Sequence, residues 1–311
     1  MARSGRPASP KGSKTVYLGT SEFAAAVLEH LADAGLAPAL VLTRPDRPRG
    51  RGRRLASPPV AELARARGIP LEQPPDVNDA AAREAIAAVA PDALVVCAFG
   101  ALIKEPLLFD YELLNVHPSL LPRWRGAAPI ERAIMTGDTL TGVSIMRLTA
   151  GLDSGPVGLS ASEPILAEDT YGSLAERLRR VGGELLVRAL SEPVTFVEQA
   201  PEGVTYAEKI GPEDRLLDPS RPATELERQV RALHPHIGAR LELADGTLLG
   251  VQRAALAMDG DSAPFPAPGT LAAVDGRLLY GTAGGTLELL RVQPSGGRPM
   301  DAAAYLRGHA R

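Results

Sequence analysis

The 311 residues are 45% hydrophobic and carry a formal net charge of −3; this length predicts about two domains, and the ordinary apolar content reads as globular rather than disordered. No apolar run approaches the ~18 residues of a membrane-spanning helix, and the charge excludes a protein that coats nucleic acid uniformly, though not one with a local basic footprint. The lone cysteine, Cys97, excludes an internal disulfide and fits a reducing compartment, so a cytoplasmic location is expected.

Residues 1–14 hold Arg3, Arg6, Lys11 and Lys14, no acid and no apolar centre. They read as a disordered basic tail rather than a secretory signal. Thr15 to Gly19 reads as a strand, followed by Thr20 and Ser21 as helix N-caps and by Phe23, Val27, Leu28 and Leu31 at helical spacing. Strands are expected at 37–43, 69–71, 93–98 and 113–117, with helices at 57–67 and 79–89. This alternation predicts a Rossmann-like, doubly wound, mostly parallel sheet with its site beyond the carboxyl ends of the strands. A helix at about 127–135, a strand at 142–148 and a long helix at 169–190 complete a domain spanning 15–190. The pair Gly182-Gly183 weakens the middle of that long helix.

Residues 191–220 hold Pro193, Pro201, Pro212 and Pro219 and read as an extended linker. From 221 to 311 the pattern changes. A helix at 224–233 precedes five short strand candidates, at 239–243, 248–252, 270–274, 278–281 and 286–292. Turn signals at Asp245-Gly246, Asp275-Gly276 and Gly284-Gly285 separate several of them. Five short strands predict a small β-barrel of the oligonucleotide-binding (OB-like) type.

The chemistry concentrates between Asn115 and Asp153. Side chains two apart on a strand point the same way, so Asn115 and His117 project together from the end of the 113–117 strand. An amide N–H and an imidazole N–H are donors suited to a developing oxyanion. Asp153, in Gly-Leu-Asp-Ser-Gly, is the candidate carboxylate to orient His117 and to accept a proton from an amine. Taken singly, a strand histidine is more often a satisfied core or edge residue, Asn115 would be a strand-end turn former, and Asp153, between Gly151 and Gly155, a loop residue.

In this order and context the triple resembles the folate-dependent formyltransferase family. The resemblance covers nearly all of the chain from Thr15 to about Leu306. It implies 10-formyltetrahydrofolate as co-substrate, no metal, and a catalytic set of Asn115, His117 and Asp153. It places folate contacts at Ser119, Leu120, Leu121 and Pro122, and pterin-holding loops at Ala98, Phe99 and Gly100 and at Thr149, Ala150, Gly151 and Leu152. Pro118 and Pro156 depart from the usual pattern and stiffen the backbone. Trp124 is expected to pack beside the folate loop, Cys97 to be an inert core residue, and the histidines of His234-Pro235-His236 to be surface or packing residues rather than metal ligands.

The acceptor amine is set outside this core. Residues 44–54 hold six arginines against Asp46 in a setting rich in glycine and proline, which reads as a loop suited to phosphate contact. It resembles the insertion of the family branch that acts on methionyl initiator tRNA. Arg47, Arg49, Arg51, Arg53 and Arg54 are the candidate contacts, with Lys209 and Arg298 in the C-terminal domain. Residues 209–311 are balanced, with 12 Lys/Arg and 12 Asp/Glu, so any contact there must come from local clusters. The expected function is formyl transfer to the methionine amino group of that tRNA, by a monomer with no membrane partner. The alternative is the same chemistry on an amino sugar nucleotide or another small amine.

Overall fold

A computed structural model of the protein describes residues 14–49, 54–257 and 266–309. The basic tail up to residue 13, Arg51 and Arg53 lie outside the described residues.

In chain order the elements are β1 (Thr15–Gly19), α1 (Glu22–Asp33), β2 (Leu40–Leu42), β3 (Arg47–Arg49), β4 (Arg54–Ala56), α2 (Pro59–Ala66), β5 (Leu71–Glu72), α3 (Ala80–Val89), β6 (Ala93–Cys97), α4 (Leu107–Asp110), β7 (Leu113–His117), β8 (Arg125–Gly126), α5 (Pro129–Thr136), β9 (Leu140–Arg147), β10 (Val157–Pro164) and α6 (Tyr171–Ser191). After them come β11 (Tyr206–Ala207), α7 (Ala223–Leu233), β12 (Ala239–Glu242), β13 (Leu248–Leu256), β14 (Leu271–Val274), β15 (Arg277–Gly281), β16 (Thr286–Gln293), β17 (Met300–Asp301) and α8 (Ala302–His309). The chain forms two compact units. The first gathers the described residues of Met1–Gly126 with Thr141–Pro164 and Ala175–Tyr206; the second gathers Ala127–Leu140, Ile165–Leu174 and Ala207–Arg311.

The first unit is built on a seven-stranded sheet in the order β10-β9-β7-β6-β1-β2-β5. From β5 to β7 neighbouring strands are parallel, and β9 runs antiparallel to β7. The chain winds outward from β1 towards β5, then returns to add β6 and β7 on the other side. The order therefore reverses between β1 and β6, the position where such sheets place their ligands. Strands buried on both faces read as continuous apolar runs, and β1, β2, β6 and β7 are buried throughout. Val16, Leu18, Leu94, Val96 and Leu113 pack with Ala82 and Ile86 of α3 on one face. Ser21 and Asp79 cap α1 and α3 by accepting from Ala24 N (3.3 Å) and Ala82 N (2.8 Å).

The glycine pair in α6 has a packing role. The helix runs unbroken across it. A Cβ on Gly182 would lie 3.0 Å from Val116 of β7, and one on Gly183 would lie 2.6 Å from the His30 ring of α1. The lost helix propensity is offset by close approach of α6 to its neighbours.

The second unit carries an antiparallel sheet, β12-β13-β16-β15-β14, with β17 added to β16. Leu226, Val230 and Leu233 of α7 join Leu241, Leu249, Val251, Leu278, Leu287, Leu289 and Val292 in its core. Among the described residues no ladder joins β14 back to β12. The turn between β14 and β15 has Asp275 at φ +49° and Gly276 at φ +76°, the positive pair of a tight hairpin. Strand β13 continues to Leu256, beyond the expected end at Gln252. Its register slips between Val251 and Ala254, so burial passes from Leu249 and Val251 to Ala254. That bulge breaks the period-two pattern.

Candidate active site

The site grows from the end of β7. Leu113, Asn115 and His117 share one face of the strand, and Val116 lies on the other, against α6. Asn115 faces Val96 in the β6 register. It is 8% exposed, and its carboxamide has no hydrogen-bond partner among the described residues. His117 is 4% exposed. Its Nε2 donates to the Trp124 carbonyl at 2.8 Å. Because a carbonyl can only accept, this bond puts the proton of neutral His117 on Nε2 and leaves Nδ1 as the basic nitrogen.

The Trp124 carbonyl is itself anchored. Trp124 has φ +62°, and its N–H donates to Thr205 Oγ1 at 2.8 Å. Ser119 Oγ donates to the Arg123 carbonyl at 2.7 Å, and Ser144 Oγ donates to the Ser119 carbonyl at 2.8 Å. The buried indole lies beneath the Arg123 guanidinium, 4.3 Å from the ring centre, where cation and ring attract.

Asp153 completes the imidazole's surroundings. Its Oδ2 lies 3.7 Å from His117 Nδ1 and accepts from Gly126 N at 2.8 Å. At 3.7 Å the carboxylate attracts a protonated imidazole without a hydrogen bond that would occupy Nδ1. Asp153 has φ +43°, a left-handed conformation that costs an L-residue roughly 1–2 kcal/mol, less for Asp than for most. Two residues on, a Cβ at Gly155 would collide with the Arg147 carbonyl, so glycine is required there. Gln199 donates to the carbonyls of both Asp153 and Gly155, each at 2.8 Å. The arrangement offers an amide N–H, a base of fixed tautomer and a carboxylate to steady its conjugate acid. That set suits transfer of an acyl group to an amine.

Residues 13–190 match the family model described as formyl transferase, and residues 209–310 match the formyl transferase C-terminal domain. The methionyl-tRNA formyltransferase of Halorhodospira halophila is 44% identical over 95% of this chain and 96% of its own length. That of Phenylobacterium zucineum is 45% identical over 96% and 97%. The chain belongs to the formyl transferase family, in its methionyl-tRNA formyltransferase branch. The fold is shared more widely. The crystal structure of WlaRD, a sugar 3N-formyl transferase in the presence of dTDP and 5-N-formyl-THF, matches with a TM-score of 0.63 at 14% identity, over 89% of this chain and 97% of that one.

Within this formyl transferase framework the three folate-loop expectations fall in different places. Ala98, Phe99 and Gly100 leave the carboxyl end of β6; the Phe99 carbonyl accepts from Thr20 Oγ1 at 2.7 Å and that of Gly100 from Arg44 Nη1 at 2.9 Å. Ser119, Leu120, Leu121 and Pro122 follow β7, with Leu121 N donating to Ser144 Oγ at 3.2 Å. Thr149, Ala150, Gly151 and Leu152 are exposed. They leave β9 beyond Arg147, which pairs with Leu114 near the start of β7. The turn that follows is what brings Asp153 back to His117.

The basic loop contains a short antiparallel ladder, Arg47↔Ala56, Pro48↔Leu55 and Arg49↔Arg54. Arg47 and Arg54 are exposed. Its base is fixed through Asp46, which accepts from Gln73 Nε2 at 2.8 Å and Ser57 Oγ at 2.9 Å; these bonds hold its carboxyl below the usual range. In the second unit, Lys209 and Arg298 are exposed. His236 is a packing residue there: Nε2 donates to Glu131 Oε1 at 2.9 Å and the ring stacks on Tyr171 with centroids 3.6 Å apart. Among the described residues no cluster of three or more His, Cys, Asp or Glu is placed to hold a metal ion. No described helix is long and apolar enough to cross a membrane.

Sequence reasoning missed the Trp124 carbonyl, the Gly126 N–H, Thr205, Arg125 and Gln199. Two of these are backbone groups, which carry no residue signature. Thr205 opens the run Thr205-Tyr206-Ala207-Glu208-Lys209, whose sequence resembles the family's linker and gives no sign of a role at the site.

Proposed function

We propose that the chain transfers the formyl group of 10-formyltetrahydrofolate to the α-amino group of methionine on methionyl initiator tRNA. The observation that carries the chemistry is His117, held at Nε2 by the Trp124 carbonyl, with Nδ1 facing Asp153 at 3.7 Å and Asn115 two residues back on the same strand face. The neutral amine attacks the formyl carbon, and the carbonyl electron pair moves to oxygen. The Asn115 amide donates to that oxyanion. His117 Nδ1, rather than Asp153 as the sequence alone suggests, takes the proton the nitrogen loses, directly or through one water, because Nδ1 is open while Asp153 Oδ2 already accepts from Gly126 N; Asp153 stabilises the imidazolium. Collapse re-forms the carbonyl and breaks the bond to the folate nitrogen, which takes the proton back. Tetrahydrofolate and the formylated amine leave, and His117 returns to its neutral tautomer.

The family branch supports the tRNA acceptor, since the alignments at 44% and 45% identity cover 95% and 96% of this chain. The folate donor comes with the family. The exposed Arg47 and Arg54 on the β3–β4 ribbon suit phosphate contact, and Arg49, Arg51, Arg53, Lys209 and Arg298 are further proposed contacts. Ala98–Gly100, Ser119–Pro122 and Thr149–Leu152 are the proposed folate-holding segments, in a cytoplasmic monomer.

The test is a single-turnover assay with 10-formyltetrahydrofolate and three acceptors: methionyl initiator tRNA, an elongator tRNA and a small amino sugar. Transfer to the initiator tRNA alone is expected. Transfer to the sugar alone would overturn the acceptor, and formate release without transfer would make the protein a hydrolase.

A further inference from the structure

Gln199 lies in the extended stretch between α6 and β11, where Val197, Glu198 and Ala200 are exposed. Its own amide is half-buried, and every hydrogen-bonding position on it is used. Oε1 accepts from Arg125 Nε at 3.0 Å and Arg125 Nη2 at 2.7 Å. Nε2 donates to the carbonyls of Asp153 and Gly155, each at 2.8 Å. Two acceptor sites and two N–H bonds are all that an amide has. The reversed orientation would set its NH2 against a guanidinium and its oxygen against two carbonyls, so the orientation is fixed.

We infer that Gln199 is a positioning residue for formyl transfer, locking together the two turns that supply the partners of His117. This role rests on the proposed functions of His117 and Asp153. One turn contains Trp124 and Gly126, whose carbonyl and N–H touch His117 and Asp153 respectively; Arg125 sits between them. The other turn contains Asp153 itself, in its left-handed conformation. Beside the Asp153 carboxylate, which itself takes the Gly126 N–H, Gln199 adds a side chain from a third segment that bonds to both turns. The same stretch adds a second hold through Thr205, which takes the Trp124 N–H on Oγ1 and the Arg125 N–H on its carbonyl at 2.9 Å. The segment that reads as a spacer therefore sets the separation of base and carboxylate. Without the amide, Asp153 loses its backbone anchor while its charge remains. A displacement of about 1 Å at a catalytic group is enough to slow a reaction by about a hundredfold.

The experiment uses the full chain at saturating 10-formyltetrahydrofolate and methionyl initiator tRNA, and compares Gln199→Met, Gln199→Glu, Asp153→Asn and the Gln199→Met/Asp153→Asn pair. Glutamate keeps an acceptor for Arg125 but cannot donate to the two carbonyls. Both single Gln199 variants are expected to lower the single-turnover rate constant about ten- to a hundredfold, with KM for donor and acceptor within about twofold. Because Gln199 acts through Asp153, Gln199→Met should add little to the loss already caused by Asp153→Asn. A wild-type rate in Gln199→Glu would overturn the proposal, since tethering Arg125 would then suffice. An equal fold-loss from Gln199→Met in both backgrounds would also overturn it, by reducing the residue to general support. Should Gln199→Met fail to fold, Gln199→Glu carries the test, alone and paired with Asp153→Asn. A wild-type rate in Asp153→Asn would instead overturn the reading of Asp153 on which the proposal stands.

Discussion

Two histidines, one in each unit, are each set beside a carboxylate, and they are built for opposite ends. His236 is tied at 2.9 Å to Glu131 and stacked on Tyr171; its polar and aromatic capacities are both committed. His117 is tied only at Nε2, by a backbone carbonyl, and its carboxylate stands off at 3.7 Å. The unmade bond at Nδ1 separates the imidazole proposed as the base from one that holds a structure together. Two kinds of arginine repeat the contrast. Arg132 forks onto both oxygens of Asp214 at 2.7 and 2.9 Å, whereas Arg47 and Arg54 are exposed and make no ion pair among the described residues.

The largest effect should come from His117→Ala, or from Asn115→Ala, which removes the amide donor. Either should lower single-turnover transfer by at least about a hundredfold, with urea midpoints close to wild type. A near-normal rate in His117→Ala would erase the distinction between the two histidines, and one in Asn115→Ala would remove the amide from the proposed catalytic set. Next, Arg47→Ala with Arg54→Ala should weaken tRNA binding and flatten its logarithmic salt slope by roughly one unit for each phosphate the variant no longer neutralises; an unchanged slope in filter-binding titrations would remove the ribbon from the interface. His236→Ala should do the reverse of His117→Ala. It leaves the buried Glu131 without its partner, so a loss of about 1–3 kcal/mol in urea unfolding is expected while the transfer rate holds.

The smallest effect concerns Asp214. Its hydrogen bonds to Arg132, then that to Gly211 N, hold its carboxyl below the ordinary value of 3.8. A depressed folded-state pKa stabilises the fold above the unfolded value, and that stabilisation is lost as pH falls through the folded one. Asp214→Asn should therefore lower the urea midpoint at neutral pH and flatten its decline in the acid range below 3.8. A decline as steep as wild type would show that the pair contributes nothing to acid sensitivity.

What is legible in the sequence follows from local pattern. Strands β1, β6 and β7 are short, mostly apolar segments buried along their whole length, which makes both their existence and their parallel pairing readable. The alternation of Asn115 and His117 places both groups on one side of β7. Strand β10 carries no such signal, because Val157–Pro164 is rich in small and polar residues and half exposed; its place comes from its neighbour β9, not from its own composition. The ladder within the basic loop is hidden by the loop's charge, and the tail of β13 by its bulge. Gln199 has no signature at all. A glutamine in a polar run looks like any other until the fold brings two carbonyls and a guanidinium around it. The grouping of α5 with the second unit likewise depends on tertiary partners such as Asp214, 82 residues from Arg132 in sequence.

Cys97 ends β6 fully buried, and burial pushes its thiol up to about 12. At neutral pH almost none of it is the thiolate that reacts with maleimides or iodoacetamides. It is also the only sulfhydryl in the chain. The protein is thus, in effect, a blank for thiol labelling. A cysteine introduced at exposed Arg54 or Lys209 would take a single fluorophore or spin label with no background to remove, so encounter with an acceptor could be followed optically on the otherwise native chain.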